Sequence, residues 1–99
     1  MIARIWTGLV RESDKDTYFE YLKKTGLDEY TSIPGNLGIQ VLRRVHEGKC
    51  EFTLITLWDS YDAIRTFAGD DLEKAKYYPE DTKYLLHLDP CVKHYEVME

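Results

Sequence analysis

The stretch LGIQVLRRVHEGKCEFTLITLW, residues 37–58, decides the fold. Residues 37–45 read as a strand, HEGK around Gly48 as a tight turn, and EFTLITLW, residues 51–58, as a second strand rich in β-branched and aromatic side chains. Upstream, residues 2–9 carry apolar side chains on both sides of an alternating pattern, which suits a central strand covered on two faces. Ser13 or Asp14 then offers a helix cap, and Tyr18, Tyr21 and Leu22 recur at helical spacing. Gly26 predicts a break or C-cap, LDEYTS a further turn, and Pro34-Gly35-Asn36 a loop. Downstream, Asp59-Ser60 caps a second helix through Ala63, Ile64 and Phe67, interrupted at Gly69 and Asp70-Asp71. DLEKAKYY is expected to restart it, Pro79 to stop it, EDTKYLLHL to hold one more short helix, and CVKHYEV, residues 91–97, to form the last strand.

The resulting order β-α-β-β-α-β predicts one ferredoxin-like α+β domain over residues 1–99. Its four-stranded antiparallel sheet should run in spatial order 4-1-3-2, with both helices on one face. Strands with two apolar faces and helices on only one imply a partner for the open face, and a second copy of the chain is the simplest one.

Composition narrows the partners. Eighteen acids against 13 bases leave a formal net charge of −5, which argues against nucleic acid and anionic membrane. No apolar run approaches the roughly 18 residues of a spanning helix. Cys50 and Cys91 lack ligand or CxxC spacing and are expected as free thiols of a cytoplasmic protein. Aromatics make up 13% of the chain, a surplus suited to a ligand pocket or an interface. No phosphate-binding Gly-rich loop and no HxxxH-type metal spacing occurs, so neither a cofactor nor a metal is expected.

The segments IPGNLGIQVLRR, EFTLITLWDSYDAIRTFAG and CVKHYEV, with the Trp58, Ser60, Ala63 junction, resemble the antibiotic biosynthesis monooxygenase family of small dimeric α+β barrel proteins. The resemblance covers nearly the whole chain and implies that fold and a homodimer. It implies no single reaction, because the superfamily includes cofactor-independent quinone-forming monooxygenases, haem-degrading enzymes and isomerases. The haem-degrading branch uses an Asn on the first strand and a Trp and a His on the second helix. Here those positions read as Trp6 and Thr7, Phe67 and Tyr77, all departures from that pattern. The quinone-forming branch implies an aromatic cavity that lets a deprotonated phenolic substrate reduce dioxygen directly.

Arg4 and Trp6 on the first strand, with His94 and Glu96 on the last, form the favoured constellation. If the pairs share a face, Arg4 holds an anionic oxygen, His94 acts as a base near neutral pH and Glu96 orients its neighbour. The alternative is an Arg4–Glu96 salt bridge with His94 beside it. Tyr77, Tyr78, Tyr84 and His87 follow the second helix, where the tyrosines either bind a small aromatic ligand or pack with their hydroxyls in water. Trp58 is read as core or pocket edge, and Glu80 and Asp81 as first-turn acids of a short helix. Two functions stand side by side: a cofactor-independent monooxygenase of a small aromatic or quinol-like substrate, and a non-catalytic ligand-binding or assembly module.

Overall fold

The computed structural model describes all 99 residues. Strand β1 covers Ile2–Arg11, β2 Asn36–His46, β3 Lys49–Trp58 and β4 Lys93–Glu96. They form one sheet in the order β2-β3-β1-β4, with every neighbour antiparallel, as the split βαβ pattern predicts. The hairpin between β2 and β3 turns at Glu47 and Gly48, both with positive φ, the backbone a tight two-residue hairpin requires.

The first helical region differs from the prediction. A 3-10 turn at Glu12–Asp14 leads into α1, Lys15–Leu22, without a capping hydrogen bond from the Asp14 side chain. Gly26 ends nothing: it lies in a π-helical turn, Lys23–Leu27, that runs into α2, Asp28–Thr31. The widened turn keeps the backbone helical while placing Gly26 where a Cβ would stand 3.5 Å from the Tyr30 ring and 3.6 Å from the Tyr78 ring. Packing of two tyrosines against a bare backbone thus outweighs the glycine's tendency to terminate the helix.

The second helix, α3, spans Tyr61–Ala68 and begins where expected, with the Ser60 hydroxyl accepting the Ala63 N–H at 3.2 Å. It stops at Gly69, whose φ of 84° only glycine adopts freely. The predicted restart over DLEKAKYY does not form. Residues 69–80 cross the sheet as an irregular strap, in which the Ala75 N–H donates to Pro90 O and the Val92 N–H to Glu73 O. A helix would have consumed the carbonyls of Leu72 and Lys74, and the buried Arg4 takes both. Helix α4 is only Asp81–Tyr84, so Tyr84 and His87 do not share a helical face; His87 is exposed.

Both helical regions and the strap cover one face of the sheet. There Ile2, Trp6 and Val10 of β1, with Phe52, Leu54 and Trp58 of β3, build the core against Tyr18, Leu22, Tyr30, Ile64 and Phe67. Gly8 lets the Trp6 ring lie along its own strand, because a Cβ there would sit 2.3 Å from that ring. On the other face, register places Ile5, Ile55, Leu42, Leu57 and Tyr95 together with no element over them. Leu42 is 50% and Tyr95 49% exposed. No helix is long and apolar enough to cross a membrane, and both cysteines are free, Cys50 buried and Cys91 exposed.

Candidate active site

Arg4 and His94 are register partners across β1 and β4, so they share the helix-covered face. Arg4 is only 3% exposed, a deep position for a group that stays charged at any ordinary pH. Its Nη1 donates to Leu72 O at 2.6 Å, its Nη2 to Lys74 O at 3.2 Å, and Nη1 lies 3.1 Å from His94 Nε2. Arginine has no acceptor, so Nε2 accepts and the neutral ring carries its proton on Nδ1. The guanidinium also lies 5.7 Å from the centre of the Phe67 ring. None of these partners is an anion. Glu96 forms no ion pair and sits opposite Ile2, so the Arg4–Glu96 bridge does not form. Buried dipoles and a ring face hold Arg4, and its charge is left without a counter-ion.

Arg4 and Trp6 line an internal cavity between sheet and helices, with Tyr18, Tyr30, Tyr78 and Asp81 among the other walls. About 380 Å³ of space lies between these residues counted out to the open mouth, most of it narrow. The walls leave room for about one water. Trp6 is 8% exposed, and its indole N–H makes no well-formed hydrogen bond, its polar neighbour being the Tyr77 hydroxyl.

Asp81 is the wall residue that the sequence reading passed over as a first-turn acid. It does begin α4, yet it is 3% exposed. Its Oδ1 accepts the Tyr18 hydroxyl at 3.1 Å and its Oδ2 the Tyr78 N–H at 2.6 Å. No cation pairs with it. Burial raises its pKa, an effect only partly offset by those two donors. Its spacing to Tyr78, three residues across a Pro-Glu turn, was the available signal; burial was not legible locally.

At the mouth, Lys76 pairs with Glu29, and the Tyr78 hydroxyl donates to Glu29 at 2.6 Å. Burial pushes the Glu29 pKa up, but those two hydrogen bonds win and hold it below the ordinary value. The Lys76 ammonium also lies 4.6 Å from the centre of the Phe67 ring. This clasp ties the strap to α2.

The cavity therefore unites Arg4, Trp6 and Tyr78 of the expected site. His94 touches it only through Arg4 and opens instead onto a surface depression shared with Tyr61, Leu72 and Tyr95. Burial and the adjacent guanidinium both lower the His94 pKa. Tyr77 sets its ring edge-on to Trp6 and donates its hydroxyl to Asp89 O, outside the cavity. Tyr84 packs against Tyr18 and Tyr21. Trp58, fully buried and bonded through Nε1 to the Thr56 hydroxyl at 2.9 Å, is core and meets no cavity.

Neither a protein-family model nor a curated protein sequence matches the chain. Solved structures do. A Bacillus cereus protein assigned to the antibiotic biosynthesis monooxygenases aligns with a TM-score of 0.68 at 19% identity, over 99% of this chain and 93% of its own. MhuD, a haem degrader from Mycobacterium tuberculosis with two haems bound in its active site, aligns at 0.61 and 18%, covering 100% and 97%. A MhuD mutant holding two manganese protoporphyrin IX groups per active site aligns at 0.62 and 18%, covering 100% and 96%.

Haem does not fit the donor set found here. No histidine, cysteine or methionine lines the cavity, and two of its three tyrosine hydroxyls are spent on Asp81 and Glu29. The position expected to carry a helical Trp is Phe67, packed at 4.4 Å between ring centres against Tyr30. Agreement over whole chains at such low identity concerns architecture, and in architecture this chain is a ferredoxin-like α+β protein similar from end to end to the antibiotic biosynthesis monooxygenase-like proteins.

Proposed function

We propose that the protein is a cofactor-independent monooxygenase of a small aromatic or quinol-like substrate, held in the cavity beneath the strap. The observation that carries this reading is Arg4, a buried cation without an anion, on the wall of an aromatic-lined space. A phenolate supplies the missing charge, and Trp6 and Tyr78 flank its ring. His94 serves the site by holding Arg4 from behind, since its Nε2 is engaged there. In the reaction the substrate loses two hydrogens and gains one oxygen atom, while the second oxygen leaves as water. The substrate supplies all the electrons, so no external reductant is required.

The protein works as a cytoplasmic homodimer joined through the open sheet face, which supplies the cover that Ile5, Ile55, Leu42 and Tyr95 lack. An oxygen electrode with a panel of naphthols, hydroquinones and anthrones tests the activity. Stoichiometric oxygen uptake by wild type, reduced at least about tenfold in Arg4→Gln as the loss of a charged hydrogen-bond donor predicts, is the expected result. A second reading is favoured by how little room the walls leave: a non-catalytic module for binding a small ligand or for dimeric assembly. Ligand-induced rise in Tm without oxygen uptake across the panel would replace the first reading with the second.

A further inference from the structure

The six titratable groups on the cavity wall are Arg4, Tyr18, Tyr30, Lys76, Tyr78 and Asp81. Arg4 has no proton to take up. Lys76 is already paired with Glu29. The three phenols are held in their protonated form: burial raises all of them, Tyr30 to about 12. Asp81 alone can accept a proton. It is a carboxylate without a cation, in the same space as a guanidinium without an anion, and both are 3% exposed. His94, by contrast, presents its accepting nitrogen to Arg4 rather than to the cavity.

We infer that Asp81 is the cavity's proton acceptor, taking the hydroxyl proton of a bound phenol while Arg4 holds the phenolate that forms. This rests on the substrate class proposed above and adds the group that ionises it. The ligand's O–H bond breaks, its electron pair stays on oxygen, and the proton bonds to a carboxylate oxygen of Asp81. Net charge within the cavity is unchanged, since one anion replaces another. The new anion lies where the guanidinium lacks a partner, and the new carboxyl stays among the Tyr18 and Tyr78 donors that fix its orientation. Because the walls leave room for about one water, a bound ring requires the side chains around the mouth to part.

The test uses 4-nitrophenol, whose absorption distinguishes phenol from phenolate, at a pH where the free probe is mostly protonated. Wild type should bind it as the phenolate. Asp81→Asn, in which the Tyr18 hydroxyl can rotate to accept from the new amide, should bind it as the phenol. Arg4→Gln should weaken binding about tenfold or more. Gly26→Leu, which fills the space beside the Tyr30 and Tyr78 rings, should abolish it. Infrared difference spectra of wild type give a reading independent of how any variant folds: a protonated-carboxyl band should appear when the probe binds. A phenolate signal undiminished in Asp81→Asn, absence of the carboxyl band, or failure of wild type to bind the probe would each overturn the assignment. Ionisation through Asp81 with no oxygen uptake from any quinol leaves the acceptor standing and removes only the oxygenase.

Discussion

His94 keeps its imidazole beside a permanent cation, and the sign of the resulting pH dependence follows. Its folded-state pKa lies below the ordinary 6.5, first through burial and then through Arg4. In the window just under 6.5 the unfolded chain therefore binds the proton that the folded chain refuses, so stability falls as pH drops through it. Asp81 acts in the opposite sense. Its pKa is raised from 3.8, so stability contributed by its protonated form is lost as pH climbs above that value. Urea denaturation across pH should show His94→Gln flattening the upper window and Asp81→Asn the lower one, each leaving the other slope in place. At this scale the sequence was half legible. An arginine between Ala3 and Ile5 on a central strand had to find partners, and spacing by two put Trp6 beside it. That its partners would be the Leu72 and Lys74 carbonyls lay outside any local pattern, at separations of 68 and 70 residues.

At the scale of elements, the sheet and α3 obey local rules, while the strap and the π-turn obey tertiary ones. The Ser60 cap bond is local, so Ser60→Ala should cost about 1 kcal/mol by thermal or urea melting and leave the cavity intact. Strand order, the hairpin turn and the start of α3 were readable because alternation, a Gly48 turn and a cap-plus-periodicity signal are each encoded within a few residues. DLEKAKYY carries good helix formers and still forms an irregular strap. Its propensity, worth at most a few tenths of a kcal/mol per residue, loses to satisfying a buried guanidinium and to pairing with residues 90–92. Tyr84 and Trp58 were candidates for the ligand because aromatics mark both cores and pockets. Only the packing against Tyr18 and Tyr21, or the fully buried indole, separates the two uses.

Across the whole molecule, the uncovered sheet face is the largest unfinished surface. Ile55→Lys, at its centre between Ile5 and Gln40, should shift sedimentation of a dimer toward monomer without unfolding the sheet. A wild-type monomer at micromolar concentration would remove the dimer from the proposal. The position of β1 also has a consequence in time. The first of the four strands in the sequence lies inside the sheet, flanked by β3 and by β4, so Arg4 meets His94 at a sequence separation of 90. During synthesis β2 can pair with β3 before β4 has emerged, so the β1–β4 edge is the last of the three pairings to close. Contacts of such separation slow folding, because the entropy of closing the loop precedes any reward. The buried charge of Arg4 thus gains its His94 contact late, only once β4 has joined β1.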